Sequence, residues 1–443
     1  MLPGKTIIIS LSLAFFFIYC KEASAQQLDT TFVEKFSFHT QTTLLGQYKP
    51  SFRASYSGPN SLLPLEENQI SLTATWYAGA RLWKNASVFI NPEVSGGSGL
   101  SDAFGVASST NGETFRVGTH DPKLYLARLF IRQLFPLKQT STYLSMDFNQ
   151  LAGSIPTHYV AITVGKVDVS DFFDNNTYSH NPRTQFIAWG FKDHGAWDYP
   201  ANTRGYTPSI ILEYVTPKNE LRYGLSLVPL EANGNDINWR IRQAGSHTLE
   251  YTQRYTIKGM SGAIRLLGYF TSANMGDYNQ SIALNPQAPD ITDTRAYGNT
   301  KYGFGINAEQ AICKTLGAFF RASWDDGHHE TWAFTEIDRS ISGGVSLSGN
   351  LWKRPADHFG LAYVASGLSR PHRSYLQAGG KGFMLGDGNL NYGWEHVAEL
   401  YYAAEMIKNS IYLSGTYQFL VNPGYNRDRG PVNVFSVRVH ARI

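Results

Sequence analysis

Phe435-Ser436-Val437-Arg438-Val439-His440-Ala441-Arg442-Ile443 decides the fold. Phe435, Val437, Val439, Ala441 and Ile443 are apolar; Ser436, Arg438, His440 and Arg442 alternate with them and are polar, mostly basic. Successive side chains of a strand point to opposite faces, so this is a strand with one greasy side and one wet, charged side. A turn at Asn422-Pro423-Gly424 and the run Tyr425-Asn426-Arg427-Asp428-Arg429-Gly430-Pro431 precede it. Such a strand at the end of a chain predicts a closed barrel whose last strand pairs with its first.

The other end carries an export signal. Met1–Lys5 is a short basic region, Thr6–Tyr19 is apolar, and Ala23-Ser24-Ala25 is a small-x-small cleavage site. This reads as a secretory signal peptide over residues 1–25, too short for a stable membrane helix. Tyr19 stands where a small residue should precede a lipidated cysteine, so Cys20 points to simple cleavage near Ala25 rather than to a lipoprotein. Residues 26–443 are then one barrel domain, with no room between Gln26 and Phe36 for another. Once Cys20 is removed, Cys313 is alone, which excludes an internal disulfide and leaves stability to sheet closure.

Composition separates a membrane barrel from a soluble sandwich. Charged residues are 16%, where about a quarter is usual, and aromatics are 14% with 41 glycines. No second long apolar run exists. Period-two alternation recurs instead: Ile70, Leu72, Ala74 and Trp76 against Ser71, Thr73 and Thr75; Tyr125, Ala127, Leu129 and Ile131 against Leu126, Arg128, Phe130 and Arg132; Val345, Leu347, Gly349 and Leu351 against serines and Asn350; Leu400, Tyr402, Ala404 and Met406 against Glu399, Tyr401, Ala403 and Glu405. The polar face is Ser, Thr, Gly, Asn, Tyr and Arg rather than the Lys and Glu of a face in bulk water. That suits the wall of a confined aqueous channel, and Tyr402 and Tyr417 suit an interfacial aromatic girdle. Allotting roughly 25 residues to each ~9–11-residue spanning strand and its connection predicts an all-β transmembrane antiparallel barrel of about 16 strands, wide enough for a channel. Leu134–Lys138, Thr216–Asn219 and Leu351–Pro355 read as short turns. The long stretches Ser95–Pro122 and Asp168–Pro208 read as external or infolding loops. A net charge of +3 gives no argument for nucleic acid.

Those long stretches carry a resemblance. The first contains Asn91-Pro92-Glu93, Gly96-Gly97-Ser98-Gly99-Leu100-Ser101, Asn111-Gly112-Glu113 and Arg116-Val117-Gly118. The second contains Asp171-Phe172-Phe173-Asp174-Asn175-Asn176, Asn181-Pro182-Arg183-Thr184-Gln185-Phe186 and Gly195-Ala196-Trp197-Asp198-Tyr199-Pro200-Ala201-Asn202-Thr203-Arg204-Gly205-Tyr206. Together with Tyr425–Pro431, and over essentially the whole chain beyond the leader, this resembles the carbohydrate-selective porins (OprB type) of bacterial outer membranes. The resemblance implies a 16-stranded barrel that passes sugars by facilitated diffusion, with charged and aromatic residues at its constriction. Outer-membrane barrels usually end on an aromatic residue; here Ile443 is last and Phe435 is the nearest aromatic on its face.

Sugar passage makes chemical sense of these residue types. Arg and carboxylates each bind two hydroxyls, aromatic rings stack on the C–H faces of a sugar, and such contacts must stay weak and serial for the solute to leave. The sugar or pore-lining candidates are Glu93, Arg116, Arg128, Arg132, Asp171, Arg183, Trp197, Asp198, Arg204 and Arg427, with Arg438 and Arg442 lumen-facing by parity. Each of them has a competing role in pinning a loop to the wall. Three functions stand against one another: a carbohydrate porin, a general diffusion porin with an anion preference from its lumen arginines, and an enzyme built on a barrel. The last needs a Ser-His or Asp-His constellation that His158, His194, His247 and His372 do not assemble in sequence, so no catalytic residue is assigned. Asp325-Asp326-Gly327-His328-His329-Glu330 looks metal-like, but adjacent histidines of a strand point to opposite faces, so neither metal nor cofactor is expected. The expected partners are sugar substrates, outer-membrane lipid and the barrel-assembly machinery; monomer and homotrimer both remain open.

Overall fold

A computed structural model describes residues 32–113 and 120–443. The leader and Arg116 lie outside those residues. Strands run in chain order as β1 (Phe36–Lys49), β2 (Glu67–Trp83), β3 (Ala86–Gly97), β4 (Lys123–Pro136), β5 (Ser141–Leu144), β6 (Gly153–Pro156), β7 (Tyr159–Val167), β8 (Thr207–Val215), β9 (Asn219–Ser226), β10 (Gly245–Ile257), β11 (Met260–Met275), β12 (Ala296–Ala311), β13 (Leu316–Asp325), β14 (Arg339–Ser348), β15 (His358–Gly367), β16 (Glu395–Ile407), β17 (Ile411–Val421) and β18 (Val432–Arg442). All but β5 and β6 form one closed antiparallel barrel, which therefore has 16 strands. The closing seam is the one the last nine residues predict: β18 pairs with β1 from Gln41↔Arg442 to Tyr48↔Phe435. Closure pairs every strand edge, which hydrocarbon demands of a spanning sheet.

Parity along β18 holds. Phe435 (47% exposed) and Val437 (57%) face outward, while Arg438 and His440 are almost fully buried inside. The outer surface is an apolar band flanked by aromatic clusters. At one end Trp352 Nε1 donates to the Tyr402 hydroxyl at 3.1 Å. At the other, Phe435 packs against Tyr417 and Tyr48 with ring centroids 5.3 and 6.4 Å apart. No helix among the described residues is long and apolar enough to cross a membrane.

Three local readings need correction. On β4 the alternation is not strict: the register shifts between Asn91 and Pro92, which pair with Arg128 and Leu126, and Ala127 is the extra residue. This β-bulge flips the parity. Tyr125, expected on the lipid side, points into the lumen, while Leu124 and Leu126 take the outside. On β14 the strand stops at Ser348, and Gly349–Trp352 forms a 3-10 turn instead of continuing the alternation. Leu134–Lys138 is not a short turn: β4 runs on to Pro136, and residues 137–158 make an excursion that carries the β5–β6 hairpin.

Connections are unequal at the two ends. Most of those at one end are tight, as at Lys258-Gly259, where both residues have positive φ (50° and 80°), the geometry of a two-residue hairpin turn. Those at the other end are long, and short turns mark the periplasmic side of such barrels. The described residues 98–113 of one long connection, and the connection 168–206, fold into the barrel. Lumen-facing glycines make room for them: a Cβ on Gly305 would meet the His194 ring at 2.6 Å, and one on Gly317 would meet the Tyr178 ring at 1.9 Å. At the long-loop end Phe173, Trp197 and Tyr199 of the 168–206 segment join Phe334, Tyr375 and Tyr425 of later connections in an apolar core inside the barrel mouth. Gly305→Val is expected to overpack this contact by at least ~1–3 kcal/mol. The barrel should keep its heat-modifiable migration on gels while the inner loop loosens, read as a higher single-channel conductance.

Candidate pore constriction

Loops that leave bulk water bring unpaired backbone N–H groups with them, and each must find an acceptor. Here buried carboxylates supply it, each accepting from neighbouring N–H groups. Glu399 accepts from Ile187 and Ala188 at 2.6 and 2.8 Å. Glu395 accepts from Ala107, Ser108 and Gly424 at 2.9, 2.8 and 2.8 Å. Asp198 accepts from Trp332 and Ala333, both at 2.6 Å. Arg438 does the converse, donating to the carbonyls of Pro182 and Gln185 at 2.6 and 2.8 Å. Glu399, Asp198 and Arg438 hold the 168–206 loop across the lumen, and Glu395 holds Ala107 and Ser108 of the preceding long connection.

The loop carries Arg183 to the β2–β3 wall. Its Nη2 lies 3.0 Å from Glu93, its Nε 2.9 Å from Glu113, and its Nη1 donates to Thr75 Oγ1 at 2.9 Å. Glu93 also accepts from Thr75 (2.5 Å), Tyr125 (2.5 Å) and Tyr206 (2.9 Å). Burial disfavours the charge on Arg183, but Glu113 and Glu93 outweigh it and hold the guanidinium well above its usual range. Burial pushes Glu113 up, offset only in part by Arg183 because Glu93 shares that cation. Beside them Arg128 grips Asp171 at 2.6 and 2.8 Å and lies over the Tyr206 ring at 5.0 Å. Arg204 lies 4.1 Å over Tyr125. Trp189, Tyr199 and Phe334 stack nearly parallel, with centroids 4.7 to 6.0 Å apart. Lys192 sits over Trp189 and Tyr199; burial opposes its charge, yet Asp193 and Asp168 outweigh this and keep the ammonium above its usual value.

These groups line a cavity of about 550 Å³. A second cavity of about 580 Å³ lies at the tight-turn end, and Arg183 is among the residues that border both. Among the described residues, five cations of the first cavity (Arg128, Arg132, Arg183, Lys192, Arg204) face five carboxylates (Glu93, Glu113, Asp147, Asp168, Asp171). The formal charge of this lining is balanced.

Of the sequence candidates, Glu93, Arg128, Arg132, Asp171, Arg183 and Arg204 come together around this cavity, and Arg442 borders the second. Four do not. Trp197 is buried against Phe173 and Tyr199 in the loop core. Asp198 is a backbone clamp, 3.9 Å from Lys301. Arg427 is exposed in the β17–β18 connection. Arg438 is a buried loop fastener, facing inward by parity yet covered by the loop it holds. The metal-like segment is engaged internally: Asp325 lies 3.3 Å from Lys301, and Glu330 takes Arg295 at 2.7 Å. Sequence reasoning missed Glu113, Tyr77, Tyr125, Lys192 and Tyr206. Tyr125 was hidden by the bulge, whose one visible sign is Pro92, a residue tolerated within a sheet at edges and bulges.

Arg183→Ala strands two buried carboxylates, a change that ordinarily costs ~3–5 kcal/mol. The 180–187 segment is expected to detach from β2 and β3, raising conductance and shifting the zero-current potential in a salt gradient toward cation preference. An unchanged potential would place Arg183 away from the ion path.

Residues 59–442 match the model of the carbohydrate-selective porin, OprB family. Comparison with curated proteins gave no match. Among solved structures, OprB of Pseudomonas putida at high pH is 17% identical, with a TM-score of 0.70 over 92% of this chain and 94% of that one. The outer membrane channel DcaP of Acinetobacter baumannii is 11% identical, with a TM-score of 0.49 over 94% of this chain and all of that one.

Proposed function

The chain belongs to the carbohydrate-selective porin family, and on that premise we propose that it passes neutral sugars across a bacterial outer membrane by facilitated diffusion. Export by the leader, cleavage near Ala25 and insertion by the barrel-assembly machinery are part of this reading, as are surrounding outer-membrane lipid and the absence of a catalytic step.

The observation that carries it is the lining: arginines locked to carboxylates, formal charges balanced, and tyrosines alongside. A net positive pore would draw anions. Among the described residues Arg128, Arg132 and Arg183 each meet a carboxylate, which argues against the general anion porin. The same pairs offer hydroxyls what they need. A carboxylate accepts and a guanidinium donates within one cluster, so a diol can bridge the two. Tyr125, half-buried in the lining, supplies ring surface for the C–H faces of a sugar. Each contact already has a protein partner, so a sugar exchanges one hydrogen bond for another and is held only weakly. Net binding near −4 kcal/mol corresponds to a millimolar dissociation constant, loose enough for throughput.

The test is the current through purified protein in a planar bilayer. A neutral mono- or oligosaccharide at millimolar concentration should block it reversibly. Glu93→Gln should weaken the block about tenfold, the ~1.4 kcal/mol of one charge-assisted hydrogen bond. Conductance indifferent to every neutral sugar would overturn the reading.

A further inference from the structure

The 137–158 excursion starts from the tight-turn end, where every other connection merely returns the chain. Its tip is a closed turn: Asp147 N donates to Gln150 O at 3.3 Å and Gln150 N to Asp147 O at 3.1 Å, with Asn149 at φ 53°. That turn enters the lumen. Phe148 stacks on Tyr77 at 4.5 Å and 21°, and meets the edge of His39 at 6.0 Å. Arg442 of the terminal strand covers the ring at 4.7 Å and pairs with Asp147 at 3.1 Å. Asn91 donates to Asn149 at 2.9 Å.

The base is fastened as well. Glu34 N donates to Ala152 O at 3.0 Å, Ala152 N donates to the Glu34 carboxylate at 2.7 Å, and Arg81 reaches the Ala152 carbonyl at 3.2 Å. A phenylalanine at the tip of a solvent-facing turn is disfavoured by water; here it has an aromatic berth on the wall and a cation above it. Asp147, Phe148 and Asn149 line the same cavity as Glu93 and Arg183, and the excursion that carries them enters it from the tight-turn end.

We propose that Asp147-Phe148-Asn149 forms a second constriction, on the periplasmic side and in series with the one at Arg183, and that Phe148 sets the upper size of solute that can leave. The inference rests on the reading of the barrel as a solute channel, but not on the solute being a sugar. The two constrictions differ in chemistry. Arg183 and the carboxylates select by hydroxyl exchange; Phe148 offers one ring face and limits by bulk. Resistances in series add, so thinning the second constriction lowers the total only if it is itself narrow.

The experiment uses the full-length protein with Phe148→Ala, and a second variant in which Asp147, Phe148 and Asn149 are all replaced by glycine. Folding is checked by heat-modifiable migration. Single-channel conductance in potassium chloride and the cut-off for polyethylene glycols of graded mass are then measured. Conductance should rise in both variants, about twofold in the triple variant, and the cut-off should move to larger polymers. In Phe148→Ala, which leaves the charged groups of the lining in place, the sugar-block constant set at Arg183 should stay within about twofold of wild type. Unchanged conductance and cut-off in two folded variants would overturn the proposal. A wild-type pore that no sugar blocks, with the cut-off still shifted by Phe148→Ala, would sink the sugar reading and leave this constriction standing.

Discussion

A backbone in hydrocarbon has no water to fall back on, and this one constraint orders the molecule. Sheet closure meets it for the wall: sixteen strands pair around the ring, and the seam between β1 and β18 removes the last edge. Closure then divides the side chains. Every second residue faces lipid and must be apolar; the others face a lumen and are free to be polar. The loops that fold into that lumen meet the same difficulty again, since they bring peptide groups into a crowded interior.

The answer inside the barrel is ionic. Glu399, Glu395 and Asp198 collect adjacent N–H groups, Arg438 collects carbonyls, and lumen-facing glycines at 305 and 317 clear the wall where loop side chains come close. A buried carboxylate costs a great deal unless it is fully hydrogen-bonded, and these are. The constriction is built by the same means. Arg183 joins the inner loop to Glu93 and Glu113, so the group that holds the loop in place also lines the lumen cavity. Loop pinning and pore lining are therefore not competing roles for Arg183, whereas for Arg438 pinning is the whole role.

Much of the fold was legible because period two is a strong signal. The terminal strand, the seam, the strand count and the places of the two long loops follow from alternation, length and glycine-rich spacing. Two kinds of feature were not legible. A single-residue bulge opposite Asn91 and Pro92 inverts the faces of the first part of β4, and no alternation rule survives an inserted residue, so Tyr125 was placed on the wrong side. Tertiary partners are the other kind. Asp198 and Glu93 look alike in sequence, and only the chain brought beside each separates a clamp on Trp332 and Ala333 from a carboxylate in the channel. The excursion at 137–158 was missed because Pro136 reads as a turn residue, although here it ends a strand.

The central claim is that a charge-balanced constriction favours uncharged, hydroxyl-rich solutes. Liposome swelling tests it most directly, by comparing a neutral hexose with the hexuronate of nearly equal size in vesicles carrying the purified barrel. The account predicts that the neutral sugar enters faster at the same concentration. Equal rates, or faster entry of the anion, would contradict it.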